Sequence, residues 1–539
     1  MNQKSAMLSS SNIVADSPVL AGIKFLILAI LSGPLLAQDT QDARGSALKA
    51  SKNAAEVVAA IESATKIAIA KAEKSVVAIS RVPSNKRASN RAFLAPMNLS
   101  LDTDFDDPAA DPDFVPNYFG TGVILSEDGF IVTCAHLLGD PSENDYHVWH
   151  QGQHFRAKRI ASPKRGTVYA SDPFSDLAIL KIPTAGLIPI EFAAETSLEK
   201  GQFVVALGNP DAIARDGRVS ATWGMVSNIK RVAPTRKETE EGTKQSVHQY
   251  GTLIQTHLRQ SLGSSGGALV DLEGRMLGLT TSLVARPGNV EDAGFAIATD
   301  DFFKRVVESL KQGKLPEYGF LGIQPAELRW ADQKRGLRGA RVGVVIPGLP
   351  GDTAKVQAND IVTAVNGVAI GNRNDLFREL SFALAGETVL LSILRPAGRT
   401  TKELELQARV SKKPLQQLQN AYSLHSDQGW NGMIVDYSSA VLTDASLLGT
   451  WGIGKLTPKI AVLEVAPDTA AWQAGIRPGN GILRVGDLEV DSPNTFYRAA
   501  ENATRVNSES VILSILNQDG ILRKLTVSPA NPELTSQPR

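Results

Sequence analysis

Gly263-Ser264-Ser265-Gly266-Gly267-Ala268-Leu269-Val270 sets a serine between glycines, directly ahead of an apolar run. Glycines let a backbone turn successive amides toward one point, and a serine placed there has the local chemistry of an acyl-transfer nucleophile. A Ser/Gly run alone reads equally well as a flexible loop, so its company decides. Upstream stands Ile131-Val132-Thr133-Cys134-Ala135-His136, and between the two stands Asp172-Pro173-Phe174-Ser175-Asp176-Leu177-Ala178-Ile179-Leu180. Taken singly, His136 is an ordinary half-buried histidine at a strand end and Asp176 an ordinary cap. Taken together, in this order and each beside a strand-like run, the three segments form a catalytic constellation.

The order His136, Asp176, Ser265 is the triad order of chymotrypsin-type double β-barrels; α/β-hydrolases and subtilisins run differently. A serine hydroxyl is a poor nucleophile at neutral pH, so His136 is needed to take its proton and return it to the leaving amine. Asp176 would hold the tautomer of the imidazole and stabilise its cation. The oxyanion needs donors fixed in advance, and the amides of Gly263 and Ser265 are the candidates.

These segments resemble the HtrA/Deg family of trypsin-like serine proteases, in which a protease domain is followed by PDZ domains. The resemblance also rests on Gly120-Thr121-Gly122-Val123-Ile124-Leu125, on Val204-Val205-Ala206-Leu207-Gly208-Asn209-Pro210, on Ile254-Gln255-Thr256 and on Gly294-Phe295-Ala296-Ile297. Against the family pattern, Ser264 stands where asparagine is usual and Ala268 where proline is usual. His257-Leu258-Arg259-Gln260-Ser261 replaces a stretch that helps line the S1 pocket. Arg259 and Gln260 are therefore S1 candidates expected to move the preference from small aliphatic toward polar or acidic side chains, the alternative being an Arg259 that snorkels to solvent. Two insertions, Ser162 to Ala170 and the charge-dense Ala233 to Tyr250, read as solvated loops.

The 539 residues predict several domains, and lysine plus arginine equals aspartate plus glutamate at 56 each. That balance, with no basic stripe, argues against a nucleic-acid partner. The single cysteine, Cys134, excludes an intrachain disulfide and reads as a small buried hydrophobe. His147, His150 and His154 flank the turn Gln151-Gly152-Gln153 and read as a solvated hairpin, with His147 and His150 on opposite faces. No metal and no cofactor is expected.

At the start, Lys24 followed by the apolar Phe25 to Leu31 and the small residues Ser32 to Ala37 reads as a secretory signal over residues 1–37, with an uncleaved anchor as the alternative. A helical extension over 38–74 leads to a protease domain over 75–312, whose irregular, acidic Pro83 to Pro116 the family resemblance makes a candidate regulatory loop. Asp301 to Leu315 reads as a helix. Tyr318-Gly319-Phe320-Leu321-Gly322-Ile323 resembles a PDZ carboxylate-binding loop, so Phe320, Leu321, Gly322 and Ile323 are the expected grip on a peptide C-terminus, with Asn374 to Ala385 as the groove helix. The first PDZ domain is expected over 316–411, a polar linker over 412–428, and a second PDZ domain over 429–530 whose loop near Gly432-Met433-Ile434-Val435 matches poorly. The expectation is thus a mainly β chain, a double β-barrel protease followed by two α+β PDZ domains. The resemblance implies an exported, ATP-independent serine endopeptidase of the periplasm or cell envelope that acts on unfolded polypeptides as a homo-oligomer, a trimer or a multiple of trimers. The alternative is an inactive, chaperone-like PDZ scaffold.

Overall fold

The structure, a computed structural model, describes residues 39–83, 116, 118–158, 166–194, 198–209, 219–232, 246–258, 263–282, 293–398, 400–415, 421–424, 429–441, 457–506 and 510–528. The residues of the expected signal and almost all of the expected regulatory loop lie outside these. The chain divides into two compact units, Met1–Ala64 and Thr65–Arg539. The described residues of the first belong to helix α1 (Asp39–Ala72), where Val57 and Val58 are exposed. No described helix is long and apolar enough to cross a membrane.

In the second unit, β1 (Val76–Pro83), β2 (Tyr118–Ile124), β3 (Phe130–Cys134), β4 (Asn144–His150), β5 (Gln153–Lys158), β6 (Gly166–Asp172) and β7 (Leu177–Lys181) form one sheet. Its order runs β6-β5-β4-β1-β2-β3-β7, and β6 also pairs with β7, so the sheet closes on itself. The second barrel, closed in the order β10-β13-β12-β11-β8-β9, comprises β8 (Phe203–Gly208), β9 (Ser220–Arg231), β10 (Leu253–Thr256), β11 (Ala268–Val270), β12 (Met276–Thr280) and β13 (Gly294–Ala298). A short helix α2 (Ala135–Leu138) follows β3. Helix α3 (Asp301–Lys311) is capped by Asp300, whose side chain accepts the Phe303 N–H at 2.9 Å, and buries Phe302, Phe303, Val306, Val307 and Leu310 at helical spacing into the protease core.

Two readings change here. Residues 166–170 are strand and not loop, because Val168 and Ala170 alternate into the barrel core. His147 and His150 are buried and not solvated, since β4 is an inner strand covered on both faces; His147 Nδ1 lies 2.9 Å from His154 Nε2, their rings stacked. Within the second insertion, Val247–Tyr250 is a 3-10 turn capped by Ser246 that buries Val247 and His248.

Beyond the barrels, β14 (Gly319–Phe320) precedes a six-stranded sheet of β15 (Ile323–Ala326), β16 (Ala340–Val345), β17 (Ile361–Val365), β18 (Val368–Ala369), β19 (Thr388–Ala397) and β20 (Thr400–Arg409), with helix α4 (Arg373–Phe382) between β18 and β19. Later strands repeat that order: β23 (Met433–Tyr437), β24 (Ile460–Val465), β25 (Gly481–Val485), β26 (Leu488–Glu489), β27 (Val511–Leu516) and β28 (Leu522–Val527), with helix α5 (Pro493–Val506) in the position of α4. Each copy has its own apolar core. The polar stretch between them is not a plain spacer. Its β21 (Ser411–Lys412) pairs with β14, and its β22 (Tyr422–Ser423) returns to pair with β6 of the first barrel.

Candidate active site

His136 stands on α2, immediately after β3, with a side chain that is 34% exposed. Asp176 ends the turn between β6 and β7 and takes φ +56°, a left-handed conformation that aspartate tolerates better than most residues. Its carbonyl accepts the Ala135 N–H at 3.0 Å, and Oδ1 accepts the His136 N–H at 3.0 Å. Both carboxylate oxygens lie 2.9 Å from His136 Nδ1. That arrangement places the ring proton on Nδ1 and leaves the Nε2 lone pair for a substrate-side proton.

The electrostatics follow from this pair. Burial works against the charge on Asp176, but His136 and its hydrogen bonds outweigh it and hold the carboxyl below the usual carboxylate range. Burial likewise opposes protonation of His136, and the charge and hydrogen bond of Asp176 overcome it, raising the imidazole above its ordinary 6.5. Cys134, Asp176 and His136 place their ligand atoms within 4.8 Å of one another, yet burial and the Asp176 charge push the Cys134 thiol well up and keep it protonated. The grouping is that of the imidazole and its carboxylate, already engaged with each other.

The serine loop is fixed by the first barrel as much as by its own. Thr121 N–H donates to Ser265 O at 2.8 Å, Thr121 Oγ1 donates to Gly263 O at 2.7 Å, and Gly266 N–H donates to Thr280 O at 2.7 Å. Gly263 has φ +93°, and a Cβ on it would stand 2.2 Å from Asn209 O, so no side chain fits there. Ser265 is 7% exposed. Its hydroxyl donates to Ser282 Oγ at 2.7 Å and accepts the Ser282 N–H at 3.0 Å, while Ser282 Oγ lies 3.5 Å from His136 Nε2. Arg259 and Gln260 lie outside the described residues.

Several residues of the site were not singled out in the sequence. Thr281 Oγ1 donates to Asp176 Oδ2 at 3.1 Å, and Thr280 Oγ1 donates to Ser264 O at 2.5 Å. The signal was a run of hydroxyls, Thr280-Thr281-Ser282, at the end of an apolar strand. Asp172 shapes the Asp176 turn: its carboxylate accepts the Phe174 N–H at 3.2 Å, the Ser175 N–H at 3.1 Å, the Ser175 hydroxyl at 2.6 Å and, from outside the barrel, the Tyr318 hydroxyl. Burial nevertheless raises Asp172 above the usual carboxylate range. Tyr318→Phe keeps the ring, whose centroid is 4.5 Å from that of Phe174, but removes a donor from a fully buried carboxylate. It is expected to cost about 1–3 kcal/mol in urea unfolding and, because the turn carries Asp176, to lower kcat more than it raises KM.

The expected peptide loop is held by the segments around it. Leu321 O accepts the Gly351 N–H at 2.7 Å and Gly322 O accepts the Ile346 N–H at 2.9 Å. With trans peptides throughout, the Gly322 and Ile323 N–H groups point the opposite way from those carbonyls. Ile323 opens β15, an edge strand. Helix α4 beside it stacks Phe377 on Tyr250 at 4.9 Å. The corresponding loop of the second copy is tied to itself: Trp430 and Met433 exchange N–H to carbonyl bonds at 2.8 and 3.0 Å, and the Val435 N–H donates to Tyr497 OH on α5 at 3.0 Å.

Comparison with known proteins agrees with this layout. Residues 120–279 match the trypsin-like peptidase domain, and residues 319–408 match the PDZ domain. A probable periplasmic serine endoprotease, DegP-like, of Bartonella henselae is 28% identical over 411 residues, 75% of this chain and 73% of that protein. One of the same description from Chlamydia pneumoniae is 27% identical over 415 residues, 76% of each. The HtrA-type protease AlgW with tripeptide has a TM-score of 0.46 at 20% identity, over 65% of this chain and 97% of that one. The chain thus joins a trypsin-like peptidase domain to a PDZ domain and is similar, along 75% of its length, to proteins described as DegP-like serine endoproteases.

Proposed function

We propose that Ser265 is the nucleophile of this endopeptidase, His136 its general base and Asp176 the carboxylate that orients and charges the imidazole. His136 Nε2 takes the Ser265 proton as Oγ attacks the scissile carbonyl. The negative oxygen is received by the Gly263 and Ser265 amides, and the proton passes to the leaving amine. Water then repeats the sequence on the acyl-enzyme and frees Ser265. The observation that carries the reading is an imidazole held by Asp176 at Nδ1, with Ser282, the hydrogen-bond partner of Ser265, 3.5 Å from its Nε2.

Substrates are proposed to be unfolded polypeptides of the cell envelope, reached by export through residues 1–37, with Arg259 and Gln260 in the S1 wall and a homo-oligomer as the working form. The relatives described as periplasmic support the compartment. The test is incubation of the full chain with unfolded casein, sequencing of the products and mass mapping of a fluorophosphonate label. Label on Ser265 and endoproteolytic fragments are expected; neither label nor fragments would favour the inactive scaffold.

Peptide capture is assigned to the first PDZ domain, through Phe320, Leu321, Gly322 and Ile323, because the second closes its own loop and edge amide. A peptide with an apolar C-terminus is expected to titrate calorimetrically at one site per chain. Gly322→Arg, at φ +73° and facing Leu349, should abolish that heat, while Asn431→Ala in the second loop leaves it unchanged. Two sites per chain, or a loss on altering the second loop, would reverse the assignment.

A further inference from the structure

The hydroxyl expected to attack is not directed at the base expected to activate it. Among the described residues Ser265 Oγ has two partners, both from Ser282: the hydroxyl, to which it donates at 2.7 Å, and the backbone N–H, from which it accepts at 3.0 Å. Ser282 Oγ stands at 3.5 Å from His136 Nε2, on the side from which the base would reach Ser265. One residue therefore occupies the donor and an acceptor lobe of the nucleophile at once. Its own position is well fixed, because it directly follows Thr280 and Thr281, which bond to Ser264 O at 2.5 Å and Asp176 Oδ2 at 3.1 Å.

We propose that Ser282 is a positioning residue that latches the Ser265 hydroxyl in a resting orientation, and that each catalytic cycle begins by releasing it to His136. The inference rests on Ser265 being the nucleophile. Release requires a turn about the Ser265 Cα–Cβ bond that exchanges the Ser282 hydroxyl for the imidazole nitrogen as proton acceptor. The Ser282 N–H belongs to the main chain and stays whatever the side chain is. The Ser282 hydroxyl is thus the part of the latch that mutation can remove. A net hydrogen bond of ordinary strength in the resting orientation lowers the population of the released one by about threefold to tenfold, and the enzyme's reactivity falls by that factor.

The step that reads this population directly is phosphonylation by a small fluorophosphonate, which needs no bound peptide. Ser265 Oγ forms the bond to phosphorus, the P–F bond breaks, fluoride leaves and the hydroxyl proton goes to His136. The experiment compares the second-order inactivation rate of the full wild-type chain with those of Ser282→Ala and Ser282→Thr, with kcat/KM on a peptide substrate alongside. Ser282→Ala is expected to react about threefold to tenfold faster, and Ser282→Thr, which retains a hydroxyl, to return to the wild-type rate. A thermal melt matching wild type shows that the alanine variant is folded. An unchanged rate in Ser282→Ala overturns the latch. A rate lowered tenfold or more also overturns it, and makes Ser282 a proton relay between Ser265 and His136 instead. These outcomes differ from failure of the underlying assignment, in which Ser265 carries no label in any variant.

Discussion

Replacing Ser265 by alanine is expected to lower kcat on peptide substrates on the order of a millionfold, with KM close to the wild-type value. The loss is this large because the truncation removes the oxygen proposed to form the acyl-enzyme. Cys134 is fully buried, its thiol kept protonated and donating to Thr280 O at 3.4 Å. Binding survives because the substrate is held by main-chain and pocket contacts that the mutation leaves in place. Since Ser265, His136 and Asp176 are proposed to act as one device, the Ser265→Ala, His136→Ala double variant is expected to be no slower than either single variant. Steady-state and single-turnover assays on a chromogenic peptide, with Ser265→Ala purified from a host lacking related proteases, measure both numbers. A residual rate within a hundredfold of wild type would remove Ser265 from the role of nucleophile.

What could be read from the chain beforehand depended on how local the determinant was. Strands such as Leu177–Lys181 and Met276–Thr280 announce themselves through apolar runs, and the triad through three short motifs in a telling order. The left-handed φ of Asp176 could not be read, because it comes from Asp172 capping the turn and from Tyr318 reaching it across 146 residues. Tyr318 itself had been read as part of a peptide loop, and its hydroxyl faces the other way, into the protease. The polar residues 412–428 look like a spacer by composition, yet β21 and β22 find sheet edges that only the folded molecule presents. His147 and His150 looked solvated because histidine is polar; an inner strand of a closed barrel buries both of its faces. Ser282 was invisible for a similar reason. A hydroxyl at a strand end is ordinary until its neighbour turns out to be the serine of another loop.

Asp176→Asn is expected to lower kcat about ten-thousandfold at neutral pH and to move the acid limb of the pH profile in a defined direction. In the wild type, activity requires neutral His136, because only the free Nε2 lone pair can accept the Ser265 proton. Burial alone would lower the histidine below its ordinary 6.5, but the Asp176 charge and hydrogen bond raise it above that value. The acid limb of kcat/KM should therefore fall above pH 6.5 in the wild type, activity appearing as pH rises through the raised histidine. Asparagine removes the charge and leaves the burial, so the limb should move below 6.5 even as the plateau collapses. The plateau falls because an amide can donate to Nδ1 as well as accept from it, which favours the tautomer with its proton on Nε2, where the base must be empty. Thr281 Oγ1 and the His136 N–H still hold the asparagine in place, so the variant tests charge and tautomer rather than folding. Measuring kcat/KM from pH 5 to 9 for both proteins checks the two expectations together. A limb that stays where it was would mean that the titrating group is not His136, and a plateau within tenfold of wild type would mean that Asp176 does not select its tautomer.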